Sequence, residues 1–110
     1  MALTRDFKET VKVRAHRDAA FREALLRESV ECLLVGDMEV GKAMLRQYIN
    51  ATMGFKELAE RTAKSSRSLM HMLGPKGSPQ ARNLFEIISH LRRHEGLHLK
   101  VQAVRRGNVG

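Results

Sequence analysis

Gly54-Phe-Lys-Glu-Leu-Ala-Glu-Arg-Thr-Ala-Lys-Ser-Ser-Arg-Ser-Leu-Met-His-Met-Leu73 reads as two short helices joined by a tight turn. In the first, Leu58 and Ala59 share one face and Thr62 follows one turn later. The small side chain of Ala59 lets a second helix approach closely. The turn falls at Ala63-Lys64-Ser65. A hydroxyl at Ser65 or Ser66 can accept a hydrogen bond from a free backbone N–H of the next helix, so that helix starts there. Leu69, Met72 and Leu73 then repeat at the i, i+3, i+4 spacing of a buried face. Ser66, Arg67, Met70 and His71 are left on the opposite face.

The charge pattern falls on the same residues. From Arg61 to Phe85 the chain carries Arg61, Lys64, Arg67, Lys76 and Arg82 and no carboxylate, whereas Ala20–Glu60 holds five basic and seven acidic side chains. An anion-binding surface is therefore expected in the second half. Two short helices of this kind, the second opening with small polar residues and an arginine, have the layout of a helix-turn-helix. That device places one helix end against DNA base edges. Arg67 is the first candidate for reading a base, because a guanidinium can grip a guanine edge with two bonds. Ser66 and His71 are further base candidates, and Ser68 suits either base or backbone. Lys64, Lys76 and Arg82 are candidates for phosphate, which positions a protein without reading sequence. The competing reading is a solvated face on an ordinary helical hairpin. The chain would then be a helical protein-interaction module that uses its N-terminal helices and residues 97–102.

Phe55-x-x-Leu58-Ala59-x-x-x-Ala63-x-Ser65-x-x-x-Leu69-x-x-Met72 resembles the helix-turn-helix of the lambda-repressor/Cro-like regulators. From Phe21 to Val101 the layout is similar to the small antidote (antitoxin) proteins of bacterial toxin–antitoxin modules. Those have a helical arm, the helix-turn-helix, a Gly/Pro loop, a further helix and a short apolar stretch. Here the last three correspond to Gly74-Pro-Lys-Gly-Ser-Pro79, Ala81–His94 and Leu97–Val101. The resemblance implies an all-α, lambda-repressor-like fold and an autorepressing transcription regulator that binds double-stranded DNA. It also implies a small nuclease-like toxin as partner, which nothing in composition or spacing shows. A phage-type repressor without a toxin is the plainer alternative. One position departs from the family, which usually has glycine where this chain has Ala63. Glycine reaches left-handed backbone angles without steric cost and alanine does not. Either Ala63 carries about 1 kcal/mol of strain or the turn is built differently.

The flanking sequence reads as further helices. Thr4 or Asp6 starts a charged helix to about His16, with Phe7, Val11 and Ala15 on one narrow face. Asp18 begins a second through Leu34, with Phe21, Leu25, Leu26, Val30 and Leu33 as its apolar stripe. Gly36 ends it and Asp37 caps the third, which carries Met38, Leu45, Tyr48, Ile49 and Met53 and stops at Gly54. The last helix starts at Ser78-Pro79, presents Leu84, Phe85, Ile88 and Leu91 to the core, and ends at Gly96. Leu97-His-Leu-Lys-Val-Gln102 alternates as a half-buried strand would, and a lone strand needs a partner. A two-fold copy or an edge of another protein would supply one. A homodimer, built on Leu97, Leu99 and Val101 or on apolar residues of the N-terminal helices, is also what regulators with a recognition helix spanning only a few base pairs usually form. The alternative is an extended tail packed on the last helix.

With 110 residues and a net charge of +8, the chain is expected to form one helical domain over residues 1–104, with a disordered tail at 105–110. Cys32 is the only cysteine, which excludes an internal disulfide and fits a reducing cytoplasm. Arg5, Asp6, Lys8 and Glu9 interrupt any signal-like start, and no transmembrane stretch is present, so a cytoplasmic protein without membrane contact is expected. His90, His94 and His98 follow a zinc-like spacing, but Gly96 should break the helix before His98, and no metal is expected. Gly74-Pro-Lys-Gly-Ser78 lacks the length and ending of a nucleotide-binding loop, so no cofactor is expected. Ser65, Ser66 and Ser68 lack a nucleophile-elbow glycine pattern, and no enzymatic activity is expected.

Overall fold

The computed structural model describes residues 5–106 and is all-α over that range. The helices are α1 (Arg5–Arg17), α2 (Ala19–Leu34), α3 (Met38–Ala51), α4 (Gly54–Thr62), α5 (Ser66–Met72) and α6 (Ala81–Glu95). Asp18 caps α2 by accepting the Phe21 N–H at 3.1 Å, and Asp37 caps α3 by accepting that of Val40. Gly36 and Gly96, with φ of +90° and +74°, turn the chain left-handed after α2 and α6. Each turn closes with paired bonds back into its helix, Gly36 to Leu33 and Asp37 to Cys32, then Gly96 to Arg93 and Leu97 to Arg92. This double closure satisfies carbonyls that the helix end would leave bare.

α3 is the central helix and packs against α1, α2 and α4. Its Leu45, Tyr48 and Ile49 are fully buried with Leu26 of α2, Leu58 of α4, Leu69 of α5, Leu73, and Ile87 and Leu91 of α6. Cys32 is half-buried, 3.9 Å from Met44 Sδ, and burial raises its pKa. None of the described helices is long and apolar enough to cross a membrane.

Several boundaries differ from the sequence reading. α3 ends at Ala51, where the Thr52 hydroxyl and N–H return to the Tyr48 and Ile49 carbonyls; Gly54, at φ +80°, opens α4. α6 begins at Ala81 after an extended Gln80, and Ser78-Pro79 do not start it. Proline biases the residue before it towards extended backbone, so residues 78–80 continue the loop. On α6 the buried set is Leu84, Ile87, Ile88 and Leu91, while Phe85 is 57% exposed. Phe85 lies roughly 100° further around the helix than Leu84, beyond the edge of the stripe. On α1, Ala15 is buried and Val11 half-buried, but Phe7 is 51% exposed.

The stretch expected as a strand is irregular, and no strand occurs among the described residues. Leu97 and Leu99 pack on the chain's own core, whereas Val101 and Val104 stay exposed. Alternation buries one face, but a ladder needs a second strand, and the described chain offers none. Thr4, and the expected disordered tail from residue 107 onward, lie outside the described residues.

A polar network closes the fold. Arg22 Nε donates to both Glu95 carboxylate oxygens at 3.0 Å, and the Tyr48 hydroxyl donates to Glu95 Oε1 at 3.1 Å. Arg22 also donates to the Ala15 carbonyl at 2.8 Å, so α1, α2, α3 and α6 meet at one carboxylate. The hydrogen bond to Glu95 raises the Arg22 pKa. Burial, reinforced by the Glu95 charge, pushes the Tyr48 hydroxyl well above its ordinary value near 10. The folded state thus holds this proton more tightly than the unfolded chain. Its contribution is complete below about pH 10 and is lost as pH rises above that value. Urea unfolding should show stability falling more steeply above about pH 10 in the wild type than in Tyr48→Phe. Parallel alkaline curves would remove Tyr48 as the cause.

Candidate nucleic-acid interface

The turn between α4 and α5 is built by three local devices. Ala63 adopts left-handed angles, φ 57° and ψ 25°, and is the only non-glycine among the described residues with positive φ. Ser65 is extended and caps α5, its Oγ accepting the Ser68 N–H at 3.0 Å. The Ser66 hydroxyl reaches back to the Phe55 carbonyl at 3.4 Å, joining the start of α5 to the start of α4. Leu69 and Leu73 fix the inner side of α5 in the core, with Met72 half-buried beside them. Arg67, Ser68, Met70 and His71 are exposed on the outer side. Of the expected base-contacting set, Arg67, Ser68 and His71 therefore share the open face, and Ser66 is half-buried against α4.

The cations divide into two groups. Arg61 is held by Glu57 of its own helix through two hydrogen bonds at 3.0 and 2.8 Å. Lys64 pairs with Glu86 of α6 at 3.6 Å. The carboxylate-free run in sequence therefore has carboxylates beside it in space, one from each flanking helix. Arg67, Lys76 and Arg82 are exposed and make no ion pair or hydrogen bond among the described residues. Lys76 stands in the loop after α5 and Arg82 in the first turn of α6.

Behind this face lie two side chains that sequence reasoning passed over. Lys42 of α3 is 2% exposed. Its ammonium donates to the Gly74 and Gly77 carbonyls at 3.0 and 2.8 Å and sits 3.4 Å from Glu39 Oε1. Arg46, one turn on, donates to the Leu73 carbonyl. The C-terminal end of α5 and its loop are thus held by two cations from a helix remote in sequence. The signal was present. Lys42, Leu45 and Ile49 fall on one face at i, i+3 and i+7, so the lysine stands within an apolar stripe.

The histidines do not converge. His94 Nε2 lies 3.7 Å from a Glu57 oxygen, and the left-handed Gly96 ends α6 before His98. No group of three or more potential metal-ligating side chains occurs among the described residues. Comparison with protein families, curated proteins and solved structures gave no match to this chain.

Left-handed backbone costs a non-glycine residue roughly 1–2 kcal/mol. Glycine loses roughly 0.4–1 kcal/mol through its freer unfolded chain. Ala63→Gly should therefore stabilise the protein by about 0.5–1 kcal/mol net, read as a higher midpoint in a thermal melt. A lower midpoint would mean that the methyl group packs favourably enough to outweigh the strain.

Proposed function

We propose that this chain is a sequence-specific DNA-binding transcription regulator that presents α5 to the major groove of double-stranded DNA. One observation carries the reading. Arg67 projects from α5 without an anionic partner, and Lys76 and Arg82, equally free among the described residues, stand on the loop after α5 and on α6. A guanidinium placed on an exposed short helix can contact a guanine edge, while cations around it meet phosphates. His71 and Ser68 share the outer face of α5 as secondary base contacts. Lys64 serves as a phosphate contact once it exchanges Glu86 for a phosphate oxygen. Ser66 acts through the start of α5 rather than through a base.

Within this class, the resemblance of the 55–72 pattern to lambda-repressor/Cro-like regulators favours an autorepressor. Its likeness in layout to antidote proteins favours a small toxin as partner. A two-fold homodimer on inverted half-sites completes the reading, because one recognition helix covers too few base pairs for specificity. Sedimentation equilibrium tests that step directly, and a monomer at micromolar concentration would remove it. A second reading, a protein-interaction module, draws on the corner between α2 and α3, where Leu34, Val35 and Val40 are 54%, 80% and 45% exposed.

Selection from a random duplex pool, followed by anisotropy titration, tests the DNA reading. Arg67→Ala should cost about 1–3 kcal/mol on the selected duplex and relax preference at one base position. Lys76→Ala should weaken selected and random duplexes alike and lower the salt slope by about one. If Arg67→Ala leaves the ratio of selected to random affinity unchanged, α5 does not read the sequence. If selection enriches no duplex, the protein-interaction reading stands instead.

A further inference from the structure

The loop after α5 doubles back on the helix it leaves. Gly74 N–H donates to the His71 carbonyl and Gly77 N–H to the Gly74 carbonyl, both at 3.1 Å, making a tight turn around Pro75 and Lys76. A Cβ on Gly77 would lie 2.0 Å from the His71 carbonyl oxygen and 2.7 Å from that of Met72. Only glycine lets the backbone come this close. Gly74 and Gly77 are buried, while the tip of the turn, Pro75 and Lys76, is exposed and adds no buried side chain to hold it against the protein. Lys42 holds it there, because its ammonium binds the carbonyls of the two glycines that bracket Pro75 and Lys76.

We propose that Lys42, which is too deeply buried to touch nucleic acid, is a positioning residue for the DNA face. Its ammonium sets the Gly74–Gly77 turn against α3, and so fixes where Lys76 meets a phosphate and how α5 presents Arg67. This rests on the DNA-binding reading given above.

The chemistry of the side chain supports the assignment. An ammonium almost removed from water is costly unless hydrogen bonds and an opposite charge compensate it. Here two carbonyls and Glu39 do so. Leucine or methionine would fill the same volume in an apolar stripe at no such cost, but neither could bind two loop carbonyls. Arg46 repeats the device on the Leu73 carbonyl, so the last carbonyl of this segment before the turn is also held from α3.

Two variants release the turn from opposite sides. Lys42→Met removes the ammonium and keeps the stem. Gly77→Ala leaves Lys42 and α3 intact but drives a methyl group against the His71 carbonyl. Both should keep wild-type helical circular dichroism and lose amide-exchange protection at residues 71–78. Affinity for the selected duplex should fall roughly tenfold, the scale of one lost base contact. The salt slope should fall by about one as Lys76 loses its phosphate. In a Lys76→Ala background, Lys42→Met should lower the slope no further, a coupling that general destabilisation would not produce. Lost protection with unchanged affinity and slope would overturn the proposal. So would failure of both variants to fold, because Lys42 would then serve the whole fold. If the wild type prefers no duplex, the DNA reading itself fails, and that is seen before any variant is made.

Discussion

The Glu95 carboxylate is the constraint on which the rest of this fold depends. It stands at the end of α6 and takes hydrogen bonds from Arg22 of α2 and Tyr48 of α3. Because Arg22 also holds the Ala15 carbonyl, α1 is attached to the same point. Apart from this junction, the last helix is kept in place by its apolar face and by more exposed contacts, Lys64 with Glu86 and His94 with Glu57. Arg22 shares its Nε–H between the two Glu95 oxygens, and this charge-assisted contact, with the Tyr48 hydroxyl on Oε1, ties the end of α6 to α2 and α3. The loop between α5 and α6 is then stretched between two anchored ends, α6 behind it and the Lys42 grip before it.

The two polar anchors work alike. Each places a charged group in a largely apolar setting and supplies nearly all its partners, and no buried side-chain nitrogen or oxygen among the described residues lacks one. A buried ion pair is weak evidence of net stability, whereas a fully satisfied polar network rigidifies the groups it joins. That distinction matters for a helix as short as α5, whose propensity alone would not hold it in water. Leu69 and Leu73 keep it on the core, Ser65 begins it, and Lys42 and Arg46 hold its C-terminal end and the Gly74–Gly77 turn.

Local signals carried most of the fold. The caps at Asp18, Asp37 and Ser65 and the terminators at Gly36 and Gly96 stand where short-range chemistry puts them, because each acts within a few residues. The Leu97–Gln102 alternation misled, since a period of two reports which side chains are buried and not whether a second strand exists. Phe85 misled for a related reason. Ile87, one turn from Leu84 and Leu91, completes the buried stripe on one side of Leu84, and Phe85 falls outside it on the other. The site was less legible than the fold. The carboxylate-free stretch from Arg61 to Phe85 is real in sequence, yet Glu57 and Glu86 flank it, and Glu57 reaches Arg61 within α4 while Glu86 reaches Lys64 from α6. Lys42 was hidden differently: a lysine in a helix is usually solvated, and only its place within an apolar stripe marked it as buried.

Ala63 shows how local strain and outward geometry are connected. A left-handed alanine persists only where its surroundings over-determine the turn. Here Thr62 is buried with its hydroxyl on the Leu58 carbonyl, Ser65 closes the first turn of α5, and Ser66 reaches the Phe55 carbonyl. Both sides of the turn are bound this way, so a shift that relieved Ala63 would have to move groups held by these bonds. The strain is therefore local and does not loosen the face that α5 presents. A glycine would remove the strain and would also widen the conformations open to the turn in the unfolded chain. Alanine gives up some stability and restricts that freedom, and the angle between α4 and α5 is left to the hydroxyls and to Leu58 and Leu69.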